Sequence, residues 1–163
     1  KFVKFYDYSN KENFHFTDDK FCGFLINELR KIKDKLFDLV DIAYENHHDE
    51  TSSLLVKVRD EVDLFSDEIK VRYCEFKDLP EEFVEKLIRH DYELVKGLQE
   101  LSNILPKYYN RVLNYERVDT ALLKTMLNNL VRIFKEREAI CNIRQISLEK
   151  SFESVRNEIR SKI

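Results

Sequence analysis

The sequence predicts an all-α protein: an up-down-up-down four-helix antiparallel bundle with an aromatic N-terminal arm and a fifth C-terminal helix. Three observations carry that prediction. The 163 residues include only 2 glycines and 2 prolines, too few for the many turns of an all-β fold. Charged residues make up 36 %, with both signs interspersed, as on the solvated faces of long helices. Apolar residues recur at three- and four-residue spacing over long stretches. The length suits one domain with a real core. We divide the chain into an arm, 1–16, and a helical domain, 17–163, with helices at about 18–46, 51–76, 79–105, 107–137 and 147–163.

The arm, KFVKFYDYSNKENFHF, holds six aromatics without a clean period, and Ser9-Asn10-Lys11 reads as a turn. In the first helix, capped by Thr17, Cys22, Leu25, Leu29, Ile32, Leu36, Leu39 and Ala43 form a heptad seam. Phe21, Phe24, Phe37 and Val40 widen it, which suits a bundle better than a two-stranded coil. A polar connection, ENHHDETSS, leads to the second helix, where Leu55, Val58, Val62, Phe65, Ile69, Arg72 and Phe76 repeat the spacing. Arg72 is its polar intruder, with Tyr73 beside it able to take the buried place.

The third helix, Leu79 to Leu105, is the best delimited. Asp78 and Glu81 form a capping box, Pro80 fits the first turn, and Pro106 marks the end. Val84, Leu87, Ile88, Leu94, Val95, Leu98, Leu101 and Leu105 share one face. Asp91 lies in the middle of that face and His90 at its edge. A buried carboxylate needs a partner or becomes protonated, and Arg72, Lys124 and the tyrosines of the fourth helix are the candidates. The fourth helix carries Tyr108, Val112, Tyr115, Leu122, Met126, Leu130 and Ile133, with Asp119 in register. Either a polar residue sits on its buried face, or the helix breaks near Val118 and restarts with Asp119 as a cap. From Glu138 to Ser147 the pattern blurs, and Leu148, Phe152, Val155 and Ile159 make one face of a last helix.

Chemistry is sparse. A net charge of −3 supplies no basic footprint for nucleic acid or an anionic membrane, and no apolar run approaches the ~18 residues of a transmembrane span. Glu45-Asn-His-His48 and Glu12-Asn-Phe-His15 have E-x-x-H spacing, but one falls at a helix end and one in the arm. His47 and His48 therefore read as an exposed turn, able at most to hold a divalent ion weakly. His90 and Asp91 are helix neighbours that point about 100° apart, so they form no dyad. Cys22, Cys74 and Cys141 lack metal or redox spacing and read as small buried hydrophobes of a reducing compartment.

FLINELRKI, Phe24 to Ile32, and NYERVDTALLKTML, Asn114 to Leu127, resemble two helical segments of SPX domains. The resemblance covers under a fifth of the chain and implies a helical sensor of inositol phosphates. Asn128 and Asn129 stand where that family's phosphate-binding lysines are expected.

The reading is thus a non-enzymatic helical protein–protein interaction, scaffold or regulatory module, with no cofactor, metal or catalytic residue. It places the protein inside the cell, in the cytoplasm. The buried polar contact is Asp91 with Arg72. The docking surface is Phe2, Phe5, Tyr6 and Tyr8 of the arm with Phe152, Val155 and Ile159 of the last helix, which also mediates self-association. The alternative is a ligand- or metal-binding bundle, a regulator, using Asp91, His90 or the His47 and His48 turn. The chain begins at Lys1 rather than Met, so it reads as a fragment or processed form whose targeting signals lie outside it.

Overall fold

Among the described residues the regular structure is all helical, and four helices pack as a bundle. We describe it from a computed structural model covering residues 6–72, 74, 76, 79–116 and 118–142. A short 3₁₀ turn, Lys11–Asn13, precedes α1 (Phe14–Glu45), α2 (Asp49–Val71), α3 (Glu81–Leu113) and α4 (Thr120–Cys141). The expected fifth helix over 147–163 lies outside the described residues, as does the Asp78 cap.

The first helix starts earlier than its sequence pattern suggested. Asn10 accepts from the Glu12 amide and caps the 3₁₀ turn, which runs directly into α1. Thr17 is therefore not a cap. It is buried one turn inside the helix, and its hydroxyl donates to the Asp7 carbonyl at 2.7 Å, tying the arm down. All seven residues of the predicted α1 seam are buried, as are Leu55, Val58, Val62, Phe65 and Ile69 of α2. The second helix stops at Val71, short of the expected Phe76.

The largest departure is at Pro106. The helix does not end there but continues to Leu113. A proline in mid-helix removes the amide that would bond the carbonyl four residues back. That carbonyl belongs to Ser102, and Lys35 of α1 supplies a substitute. Its ammonium donates to the Ser102 carbonyl at 3.4 Å and to its hydroxyl at 2.7 Å. Pro106 itself faces solvent, and the buried stripe runs past it through Leu101, Leu105, Tyr108 and Val112. Tyr108, Val112 and Tyr115 thus belong to α3 or to the turn after it. Of the two alternatives for Asp119, the cap is correct: its carboxylate accepts from the Leu122 amide at 3.1 Å. The buried face of α4 is then Leu123, Leu127, Leu130, Phe134, Arg137 and Cys141, whereas Leu122 is exposed.

Each helix has two neighbours. α1 packs on α2 and α3, and α4 packs on α3 and α2. α1 and α2 form a hairpin, with Val40 meeting Ser52, Lys33 meeting Asp63 and Asp18 meeting Arg72. α3 and α4 form a second, with Tyr108 meeting Asp119 and His90 meeting Glu136. Lys35–Ser102 joins α1 to α3, and Glu61–Lys124 and Glu68–Lys135 join α2 to α4. The diagonal pairs α1/α4 and α2/α3 make no close backbone approach among the described residues. Gly97 allows the second hairpin its close approach: a Cβ there would sit 2.7 Å from Leu130 Cδ2.

Both hairpins turn with the same backbone device. Asn46 and Asn114 end their helices, and His47 (φ 60°) and Tyr115 (φ 56°) adopt the left-handed conformation. The next amide then bonds five residues back, His48 to Ala43 and Glu116 to Arg111, each at 2.8 Å. This is a Schellman motif built without its usual glycine.

Candidate functional site

Among the described residues the fully buried charged side chains, Asp18, Asp91 and Arg137, gather at one end of the bundle. There Arg137 is fully buried. It enters the α4 stripe at the position a leucine would occupy, one turn after Phe134, and points into the bundle. Its Nε donates to Asp91 Oδ1, and its Nη2 donates to Asp18 Oδ1 at 2.6 Å and to the Tyr8 hydroxyl at 3.1 Å. The guanidinium lies over the Phe21 ring, 5.0 Å from its centroid. Arg137 thus links α4 to α3 and reaches across the diagonal to α1. The Tyr6 hydroxyl donates to the other Asp91 oxygen at 2.8 Å. Arg72 completes the set: its Nη2 is 2.6 Å from Asp18 Oδ2, and its Nε donates to Cys22 Sγ.

The charges balance, two guanidiniums against two carboxylates. Burial pushes the Asp91 carboxyl above its usual range, opposed by Arg137 and by the Arg137 and Tyr6 hydrogen bonds. Burial also works against charge on Arg137, but Asp91 and Asp18 outweigh it and hold the guanidinium well above its ordinary value. The two tendencies conflict for Asp91, and pairing decides. The ionised carboxylate is the form that accepts both the Arg137 Nε–H and the Tyr6 hydroxyl. Burial pushes the Tyr6 and Tyr8 hydroxyls up, and pushes the Cys22 thiol up to about 12. All three stay protonated near neutrality.

Several expectations change here. Asp91 is buried on the α3 face as expected, but its partners are Arg137 and Tyr6. Arg72 belongs to the same network one step away, on Asp18. Lys124 pairs with Glu61 at 3.1 Å, and Tyr108 donates to the Asp119 carbonyl. Tyr8 is only 5 % exposed and Tyr6 is half-buried with its hydroxyl committed, so neither offers a docking surface. They are the plug of this end. Phe2, Phe5, Phe152, Val155 and Ile159 lie outside the described residues. His90 is engaged within α3 and across to α4, Nδ1 with the Lys86 carbonyl at 2.8 Å and Nε2 with Glu136 at 3.5 Å.

The opposite end carries the two Schellman turns and a surface hollow of about 890 Å³, bordered by His48, Leu54, Tyr115, Glu116, Val118 and Asp119, among others. The Tyr115 ring packs 5.2 Å from the His48 ring yet is 69 % exposed. His48 Nε2 is buried with no hydrogen-bond partner among the described residues. His47 is exposed, and its role is conformational. Among the described residues no three histidine, cysteine, aspartate or glutamate side chains gather as metal ligands. None of the described helices is long and apolar enough to cross a membrane.

No protein-family model, curated protein or solved structure significantly matches the chain. The SPX resemblance gains no support from these comparisons. One of its segments, Asn114 to Leu127, is also not a single helical piece, because it spans the turn between α3 and α4.

Proposed function

We propose that the chain is a non-enzymatic helical module that binds other proteins inside the cell, in the cytoplasm. The reading includes an alternating up-down-up-down course of the helices and a fifth helix over 147–163 that serves self-association. The observation that most supports a binding role is Tyr115. A bulky residue held at positive φ is a strained choice where glycine would serve, and such strain is retained where position matters. Its exposed ring beside a hollow offers the flat, half-polar contact typical of interface anchors. The polar cluster at the other end supports a structural role for Asp91, since its carboxylate is already consumed.

The test places a photo-crosslinking residue at 115 in cells, with exposed Gln99 as the control position. A discrete protein adduct at 115 and none at 99 is expected; equal or no adducts at both positions would sink the reading. Light scattering of the whole chain against a chain ending at residue 147 tests the self-association component, which predicts a larger species only for the whole chain.

A ligand-binding role has one observation in its favour, the turn-end hollow with His48 Nε2 facing no partner among the described residues. A thermal-shift screen with divalent metals and phosphorylated small molecules tests it. A ligand at about 100 times its Kd adds about 2.7 kcal/mol, a shift easily seen.

A further inference from the structure

The hollow at the turn end combines three kinds of lining. Its apolar part comes from Leu54 of α2, Val118 of the α3–α4 turn and Ala121 of α4. Its aromatic part is the Tyr115 ring, 69 % exposed and packed on the His48 ring at 5.2 Å between centroids. Its charged part is Glu50, Glu116 and Asp119, all exposed, with no lysine or arginine among the described lining residues. We propose that this hollow docks a basic segment of a partner protein. One lysine or arginine of that segment lays its stem on the apolar lining and sets its cation between the Tyr115 ring and the carboxylates of Glu50 and Glu116. The inference rests on the reading of Tyr115 as a docking residue and names the chemistry of what docks there.

Side chains, not helix ends, set the sign of this surface. Each turn joins a helix C-terminus to a helix N-terminus, α1 to α2 and α3 to α4, so the macrodipoles offset one another. Over residues 44–50 and 111–119, Glu45, Asp49, Glu50, Glu116 and Asp119 stand against Arg111 and Arg117. Arg117 lies outside the described residues. The carboxylates of the hollow differ in availability. Asp119 Oδ1 accepts from the Leu122 amide and caps α4. Glu116 lies 3.9 Å from Arg111 Nε, but both side chains are about half exposed, where such a pair is weak and readily exchanged. Glu50 is exposed in the first turn of α2. Glu50 and Glu116 thus reach one hollow from two different turns, which a local run of acidic residues on one solvated helix face would not produce.

The lining selects among occupants. An anionic group would meet the two carboxylates and be repelled. A purely apolar side chain would take water from those carboxylates without pairing them. A lysine or arginine suits all three parts at once, its methylenes against Leu54, Val118 and Ala121 and its cation over the tyrosine face beside the carboxylates. Charge pairing at such an exposed surface favours encounter and choice of partner more than tight binding, and it weakens as salt rises.

The experiment selects a phage-displayed library of random peptides on the whole chain and re-screens every enriched clone on three surface variants. These are Tyr115→Gly, Glu50→Gln with Glu116→Gln, and Glu50→Asp with Glu116→Asp. All three positions are exposed, and glycine suits the left-handed backbone at 115, so the variants should melt as the native chain does. Clones that lose binding on Tyr115→Gly are expected to carry lysine or arginine. They should lose about fivefold or more on the Gln pair and keep most of their binding on the Asp pair. Replacing the lysine or arginine of such a peptide by glutamine should cost at least as much. Tyr115-dependent clones without lysine or arginine, or bound equally well by the Gln pair, would overturn the basic-segment proposal and leave the docking reading standing. A selection with no Tyr115-dependent clone would overturn the docking reading and this proposal with it.

Discussion

The two ends of this bundle are held by opposite means. At the turn end, the backbone closes on itself within a few residues, through two Schellman motifs and the Asp119 cap. At the plugged end, closure depends on side chains brought together from far apart: Tyr6, Tyr8, Asp18, Arg72, Asp91 and Arg137. Local closure tolerates change residue by residue. A buried ionic network does not, because removing one member leaves the others charged and unpaired in a medium that solvates them poorly. The difference makes the plugged end the more sensitive to substitution and leaves the turn end, with its exposed tyrosine and hollow, as the more tolerant surface.

Breaking the plugged end should give the largest effect. Arg137→Met keeps volume but leaves Asp91 without its cation, and Asp18 with Arg72 alone. We expect a loss of about 3–5 kcal/mol in urea unfolding. A loss below about 1 kcal/mol would mean that the network contributes little.

Alkaline pH should then probe the same end without mutation. The Cys22 thiol ionises near 9.0 when unperturbed and at about 12 in the fold. A folded value above the unfolded one means full stability below pH 9 and loss as the pH climbs through about 12. Tyr8, also raised by burial, acts in the same direction. Each of these two buried groups contributes a slope of about 1.4 kcal/mol per pH unit within its window. Tyr8→Phe should flatten the decline; an unchanged decline would place its origin elsewhere.

The joint between hairpins comes next in size. Replacing Pro106 by Ala restores an amide to the Ser102 carbonyl and should stabilise the chain by about 1 kcal/mol, less than the ~3 kcal/mol of an unassisted interior proline, because Lys35 already serves that carbonyl. Lys35→Met should lower stability in the native chain and have a smaller effect beside Pro106→Ala. Equal effects in both backgrounds would show that Lys35 does not substitute for the missing donor.

At the turn end, His47→Gly relieves a left-handed residue and should stabilise by about 1 kcal/mol. Destabilisation would mean that the imidazole makes contacts outweighing the strain. The smallest comparison sets the two glycines against each other. A Cβ at Gly23 meets nothing within 4 Å, so Gly23→Ala should add about 0.5–1 kcal/mol through helix propensity. At Gly97 the same change presses on buried Leu130, cancelling that gain or reversing it. Equal melting shifts for the two would remove the close hairpin contact from the account.

What the sequence revealed follows the same divide between local and distant. The α1 seam, the α2 stripe and the buried position of Asp91 were all legible, because helical periodicity is a local signal. The turn chemistry was half legible: ENHHDE read as a turn, but a Schellman motif with His47 or Tyr115 in place of glycine leaves no mark in composition. Pro106 misled because the residue that rescues its helix, Lys35, is distant in sequence. Arg137 and Asp18 were missed for a simpler reason. Leu123, Leu127, Leu130, Phe134, Arg137 and Cys141 are spaced 4-3-4-3-4, and Asp18 extends the α1 seam one step back from Cys22. Both charges stood in apolar registers, and following those registers to their ends would have exposed them. Which of them pairs with Asp91 could not be read, since pairing is set by which helices are neighbours.

The most direct test of the central claim, that Arg137 and Asp91 form one structural unit, is a double-mutant cycle with Arg137→Met and Asp91→Leu in urea unfolding. Each single change leaves a buried charge behind, whereas the double change removes both. The account predicts that the double variant recovers at least about 2 kcal/mol over the sum of the two single losses. Additive losses, with no recovery, would contradict it.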